Sequence, residues 1–142
     1  MKLNSLLIFL FFLQFFACKT DDSSLGFEPG PPGSYSYSAF DSLGSLIVGG
    51  WFILDFVDST KFEGTWRTES FVDRTDIGPQ VGEGKLVGEI YNSSISIELN
   101  PQFADNNLNL NGKWNENEFQ GTWAWLTYIG ASNWGTFKAV KN

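Results

Sequence analysis

The sequence predicts an all-β protein, an eight-stranded antiparallel up-and-down barrel that follows a signal peptide and a flexible linker. From residue 35 onward, short segments alternate apolar and polar side chains, the pattern of strands with one buried and one solvated face. No stretch combines helical periodicity with capping residues. Short connections between neighbouring segments indicate an antiparallel meander, and closing eight such strands into a barrel removes the exposed edges.

Residues 1–17 have the composition of a secretory signal peptide, with a basic start and an apolar run over 6–13 that is too short to span a bilayer. The ending Phe15-Phe16-Ala17-Cys18 resembles the lipobox of bacterial lipoproteins. This resemblance implies that Cys18, the only cysteine, carries lipid such as palmitate and begins the mature chain. It also implies an anchor in the outer membrane of a bacterial cell envelope. A buried cysteine after ordinary cleavage and an uncleaved anchor are the alternatives.

Residues 18–34 are predicted to be the lipidated cysteine and a flexible linker. The Pro-Gly-Pro-Pro-Gly run over 29–33 is unsuited to a helix or a central strand. Residues 19–22, Lys-Thr-Asp-Asp, resemble the surface-export tag of some lipoproteins, with an ordinary charged tether as the alternative. The barrel domain is expected to occupy 35–142.

The first three strands are predicted at about 35–40, 45–57 and 62–70. Tyrosines alternate with serines in the first strand. The second is a long apolar run with a bend at Gly49-Gly50. In the third, aromatic residues and glycine share one face, while charged residues and threonine share the other. Each pattern has the period of two that a half-buried strand requires.

The remaining five strands are predicted where aliphatic or aromatic residues alternate with polar ones, at about 84–91, 94–99, 107–114, 118–127 and 134–140. In a meander, successive loops alternate between the two barrel ends. One end therefore receives the longer connections, at about 41–44, 71–83, 100–106 and 128–133. The other end receives the tight turns, at about 58–61, 92–93 and 115–117.

A short motif recurs in these strands as Phe62-Glu63-Gly64-Thr65-Trp66 and Phe119-Gln120-Gly121-Thr122-Trp123, and more loosely as Trp134-Gly135-Thr136-Phe137. Here the chain resembles lipocalin-like, calycin-type barrels, in particular small bacterial lipoproteins whose strands carry Gly-Thr-Trp. The resemblance implies the fold over about 45–140 and does not imply a ligand. The structural interpretation of the motif is that glycine permits strand coiling, threonine faces solvent and tryptophan fills the barrel.

The predicted inward face carries large side chains, among them Trp66, Trp114 and Trp123. An eight-stranded barrel has room for packed side chains or for one small ligand. We therefore expect a mostly filled barrel, with any pocket shallow and at the mouth.

Composition excludes several classes of function. The formal net charge is −7, so the chain repels nucleic acid. The chain has no histidine and a single cysteine, which disfavours zinc sites of the ordinary kind, Ser-His-Asp and Cys-His catalysis, and the commonest general base. The sequence thus predicts a protein that is not an enzyme and that uses no cofactor and no metal.

The candidate ligand-binding residues are those that the longer loops place at one barrel end: Asp73, Arg74, Asp76, Phe103 and Tyr128. Gln80 and Asn133 are expected nearby. The two carboxylates could perform acid–base chemistry or hold calcium, but their spacing is not that of a calcium loop, which favours solvated turn charges. Aromatics such as Trp51, Trp134 and Tyr128 could stack on sugars, with half-exposed barrel packing as the preferred alternative.

The leading functional prediction is a lipid-anchored binding module of the cell envelope whose long-loop end contacts a small apolar molecule, a glycan or a protein. An inhibitor or accessory protein acting on an envelope or secreted protein is the alternative from a different class, and a structural surface lipoprotein is a third. An enclosed apolar cavity would favour a small ligand. A filled barrel with apolar surface would favour a protein partner.

Overall fold

The computed structural model describes residues 33–115 and 117–142. The predicted signal peptide, Cys18 and the linker up to residue 32 lie outside the described residues. Within these two ranges no helix is long and apolar enough to cross a membrane. The regular elements are eight strands: β1 (Gly33–Asp41), β2 (Leu46–Phe56), β3 (Lys61–Ser70), β4 (Gly82–Tyr91), β5 (Ser94–Glu98), β6 (Asn107–Asn115), β7 (Glu118–Thr127) and β8 (Gly130–Lys141).

The eight strands form one closed barrel in chain order. Every neighbouring pair is antiparallel, and β1 closes the sheet by pairing with β8 from Tyr35↔Lys141 to Asp41↔Gly135. The predicted all-β, eight-stranded antiparallel barrel is therefore confirmed. This architecture is compatible with a lipocalin-like fold.

The last connection differs from the prediction of a loop over 128–133. The ladder between β7 and β8 continues to Thr127↔Gly130, so only Tyr128 and Ile129 form the turn. A register shift between Trp125 and Leu126 lets the ladder continue beyond the point where the alternating pattern ends. The pattern fails there because the Gly-Ala-Ser-Asn run over 130–133 contains no large apolar side chain.

The barrel interior is filled by stacked aromatic and aliphatic side chains. Tyr35 stacks on Phe119 with ring centroids 4.7 Å apart, and Tyr37 stacks on Phe52 at 4.5 Å. Burial raises the pKa of Tyr35 to about 12. These buried rings occupy the space in which other eight-stranded barrels hold a ligand.

The predicted inward tryptophans differ in burial. Trp66 and Trp123 are almost completely buried. Their indole N–H groups donate to the carbonyl oxygens of Leu99 (2.6 Å) and Phe40 (2.8 Å) respectively. Trp114 packs against the core but is only partly buried, although its ladder partner Phe119 is completely buried.

Candidate functional site at the long-loop end

The loop over 71–81, between β3 and β4, is anchored by two buried side chains. Ile77 belongs to the hydrophobic core, and Gln80 is completely buried. Residues 73–76 before them and Val81 after them are exposed to solvent. Between them Gly78 adopts φ +72° and approaches Trp125 so closely that a Cβ would lie 2.7 Å from its ring. A side chain at position 78 would force the loop off β7. The loop is thus packed onto the barrel and does not hang free.

Gln80 is the centre of a buried hydrogen-bond network. Its Oε1 accepts a hydrogen bond from the Tyr37 hydroxyl (3.3 Å), and its Nε2 donates to the Ile77 carbonyl (2.6 Å). Its own backbone carbonyl accepts from the Thr68 hydroxyl. Burial raises the pKa of Tyr37, so this hydroxyl acts as a neutral donor. The network joins the loop to β1 and β3 and satisfies polar groups that would otherwise be buried without partners.

Arg74 connects the same loop to the turn between β1 and β2. Its Nε and Nη2 donate to the two carboxylate oxygens of Asp76 at 2.8 and 2.7 Å, and its Nη1 donates to Asp41 Oδ2 at 2.9 Å. The hydrogen bonds from Arg74 hold the pKa of Asp76 below its usual range. The pKa of Asp41 is also lowered, chiefly by the backbone N–H of Ser45 and then by that of Leu43 and by Arg74.

Two further contacts tie the loop to its other neighbours. Asn133 Nδ2, on β8, donates to the backbone carbonyl of Asp76 at 2.6 Å. Asn100 Nδ2, on the β5–β6 connection, donates to the carbonyl of Pro79 at 3.0 Å. The loop is therefore attached to every strand connection at this end of the barrel except the β7–β8 turn, and it contacts β7 through Trp125.

The five predicted site residues separate into three groups. Arg74 and Asp76 join in one ion-paired cluster, where their donors and acceptors are used within the protein. Asp73 is exposed on the same loop and forms no hydrogen bond or ion pair with the described residues. Phe103 and Tyr128 are exposed on the β5–β6 connection and the β7–β8 turn, and neither is part of the cluster.

Asp41 is the member of this cluster that the sequence did not indicate. Its side chain accepts the backbone N–H groups of Leu43 (3.0 Å) and Ser45 (2.9 Å), and Gly44 follows with φ +84°. An aspartate three residues before a glycine is a turn signal, from which these backbone bonds were predictable. The partner Arg74 lies 33 residues away in the chain, and no local signal connects them.

Several exposed apolar side chains lie at the same end of the barrel, although others, such as Val57 and Tyr91, are exposed at the tight-turn end. Tyr128 and Ile129 form the tip of the β7–β8 hairpin and are 91% and 96% exposed. Leu43 on the β1–β2 turn and Phe103 on the β5–β6 connection are also mostly exposed. We call these four residues the apolar rim. Leu43 and Phe103 lie on connections that the hydrogen bonds of Arg74 and Asn100 hold to the loop over 71–81, whereas Tyr128 and Ile129 lie on the β7–β8 turn, which that loop does not hold.

Among residues 33–115 and 117–142, no three His, Cys, Asp or Glu side chains are grouped so that they could hold a metal ion. Comparison of the chain with protein-family models, with curated proteins and with solved structures found no match.

Proposed function

We propose that this protein is a non-enzymatic, lipid-anchored binding module of a bacterial cell envelope, and that its apolar rim captures a partner protein. The observation that carries this proposal is the combination of a filled interior with an exposed apolar end. The interior holds Tyr35, Tyr37 and other fully buried rings, while the rim exposes Tyr128, Ile129 and Phe103. Of the predicted ligands, a protein fits this combination best, because a small apolar ligand needs an enclosed cavity.

The rim has the features of a protein-recognition surface. Tyrosine and phenylalanine are enriched where proteins meet, since they combine large contact area with few rotatable bonds. The turns beneath Leu43 and Phe103 are held by hydrogen bonds from the loop over 71–81. This part of the rim is therefore ordered before binding and loses little conformational entropy when a partner binds.

The direction of the rim agrees with a lipid anchor at the opposite end. Gly33 at the start of β1 pairs with Leu54, two residues before β2 ends, whereas the rim lies beyond the start of β2. A tether on Cys18 would therefore approach the barrel from the tight-turn end. The proposed membership of the small lipocalin-like lipoproteins rests on the Gly-Thr-Trp repeats, the Phe15-to-Cys18 sequence and the barrel topology.

Site-specific photocrosslinking in intact cells tests the proposal. A photoreactive phenylalanine analogue replaces Tyr128 on the rim or, as the matched control, Tyr91. Tyr91 is also exposed but lies at the tight-turn end beside Asn92. We expect a discrete crosslinked protein from position 128 and none from position 91. Crosslinks from position 91 alone, or from neither position, would contradict a protein-binding rim.

The anchor has its own test, because it can fail independently of the rim. Cys18→Ala should move the protein from the membrane fraction to the soluble fraction, since lipid is the proposed attachment. Mass spectrometry of the wild-type protein should find a mature chain that begins at a lipidated Cys18. An unmodified N-terminus elsewhere would refute the lipidation.

A further inference from the structure

A groove of about 570 Å³ opens on the outside of the barrel, just below the long-loop end. It crosses β2, β3 and β4 and is open to solvent. Gly49 and Gly82 contribute no side chains to it. The ring of Phe71 covers Gly49, whereas at Gly82 no atom lies within 4 Å of the position that a Cβ would take. Its volume is within the range of small-molecule sites. The side chains that line it and carry its chemistry are Trp51, Arg67, Glu69 and Glu83.

Trp51 presents a flat apolar face and an available donor to this groove. The indole N–H groups of Trp66, Trp123 and Trp125 all donate to protein oxygens. The indole of Trp51 has no such partner among the described residues, and no described ring or guanidinium stacks on it. Its side chain is 37% exposed, so it is held by the sheet on one side and is accessible on the other.

Two charged side chains continue from Trp51 across the sheet, and a third, Glu69, lies two residues from Arg67 on the same strand. Trp51 pairs with Arg67, which in turn pairs with Glu83 on the next strand. The three side chains therefore form one row across the sheet, in which neighbouring Cβ atoms are about 4.5–5.5 Å apart. Arg67, Glu69 and Glu83 form no ion pair or side-chain hydrogen bond with any residue in 33–115 or 117–142. Guanidinium donors and carboxylate acceptors thus stand next to an aromatic face with their hydrogen-bonding capacity unused.

We propose that this groove binds a neutral pyranose saccharide, whose C–H face stacks on Trp51 while its hydroxyls bond to Arg67 and Glu83. Sugar hydroxyls both donate and accept, so they need donors and acceptors together, as the groove provides. Two carboxylates against one guanidinium disfavour an anionic sugar. A quaternary ammonium is disfavoured because such cations are held by cages of several rings, whereas this groove offers Trp51 and, over Gly49, the ring of Phe71.

This site is separate from the apolar rim, so the two proposals can fail independently. The test titrates the folded full-length chain with three neutral disaccharides, maltose, cellobiose and N,N′-diacetylchitobiose, and records by ¹H–¹⁵N NMR the indole N–H signals and, as the readout for variants that lack the Trp51 indole, the backbone amide signals of Arg67 and Glu83. We expect at least one disaccharide to shift the Trp51 signal, with a dissociation constant of about 1 mM, as is suitable for an open site. Glucuronic acid should bind more weakly than glucose.

Matched variants locate the binding. Trp51→Ala should weaken it by at least about tenfold, while Trp51→Phe keeps an aromatic face and should retain it. Arg67→Gln should also weaken it, and this exposed position tolerates change without unfolding. The control is Trp134→Ala, which removes an indole that is more exposed, at 58%, but lies outside the groove. No shift from any disaccharide up to about 50 mM, or equal losses in the Trp134 and Trp51 variants, would overturn the proposal.

Discussion

Replacing Gln80 by alanine tests whether the loop over 71–81 is a fixed part of the fold. The side chain is fully buried and bonds to the Tyr37 hydroxyl and the Ile77 carbonyl. Truncation leaves both groups buried without this partner, and each such group costs about 1–3 kcal/mol. Because the bond from Tyr37 is long, at 3.3 Å, we count mainly the Ile77 carbonyl and expect a loss of about 2 kcal/mol in the free energy of unfolding.

The assay is urea denaturation followed by tryptophan fluorescence, with Gln102→Ala as the control. Gln102 is exposed on the β5–β6 connection, so its truncation should change the free energy of unfolding by less than about 0.5 kcal/mol. Amide hydrogen exchange should also accelerate over 71–81 before it accelerates in the strands, because the loop would open locally. Equal costs for the two glutamine variants would refute the assignment of Gln80 as the anchor of the loop.

Gln80→Glu sharpens the test because it preserves size and changes only the chemistry. A carboxylate at this position cannot donate to the Ile77 carbonyl, whereas a carboxylic acid can. Burial raises the pKa of such a group, so the folded state favours the protonated form. The variant should therefore be close to wild type in stability well below pH 4.3 and should lose stability as the pH rises through the raised value. A variant whose deficit relative to wild type is independent of pH would contradict this reasoning.

Three further outcomes are expected. Trp123→Ala should reduce the free energy of unfolding by about 3–5 kcal/mol because its ring is completely buried, and Thr122→Ala, on the exposed face, should cost less than about 0.5 kcal/mol; equal costs in chemical denaturation would mean that the faces are misassigned. Ser93→Gly should stabilise by about 1 kcal/mol, since this residue holds φ +65°, and an unchanged thermal midpoint would argue against strain there. The lowered pKa values of Asp41 and Asp76 stabilise the fold at pH values above about 3.9, the pKa of an unfolded aspartate, and this contribution is lost as the pH falls through the lower folded values. Asp41→Asn should therefore make the thermal midpoint less dependent on pH in that acidic range. An unchanged pH dependence would contradict the role of this carboxylate.

The barrel was predictable because its strands bury one face. In β5, for example, Ile95 and Ile97 are buried while Ser94 and Ser96 are exposed, and a period of two is readable without knowledge of any partner strand. The turn at Asn92 and Ser93 was also predictable, because asparagine and serine are common turn residues and here stand between two alternating segments. Both residues adopt positive φ, as in the favoured turns of two-residue hairpins. Local patterns of this kind determine the fold class and the order of the strands.

The arrangement of the long-loop end was not predictable from local patterns. Arg74 and Asp76 were selected as exposed polar residues on one loop, but their partner Asp41 comes from a turn 33 residues away. Gln80 is buried because the loop over 71–81 packs it onto the barrel beside Tyr37. Its local sequence, a polar residue among glycines and a proline, does not indicate burial. Trp114 shows the converse limit. Its alternation places it inward, but the alternation does not tell how much of it is covered: Trp114 is partly buried, whereas its ladder partner Phe119 is completely buried.

The filled interior and the anchored loop together favour recognition on the outside of the barrel. Buried side chains such as Tyr37 and Phe52 could make room for a ligand only by giving up packing, which costs several kcal/mol per large side chain. The Gln80 network raises this cost further, because opening the long-loop end of the barrel would leave its buried polar groups without their hydrogen-bond partners. The outer surface carries no such penalty, since the apolar rim and the Trp51 groove are already accessible. Substitutions of its outer residues should therefore change the binding of a partner or ligand and should leave the stability of the barrel largely unchanged.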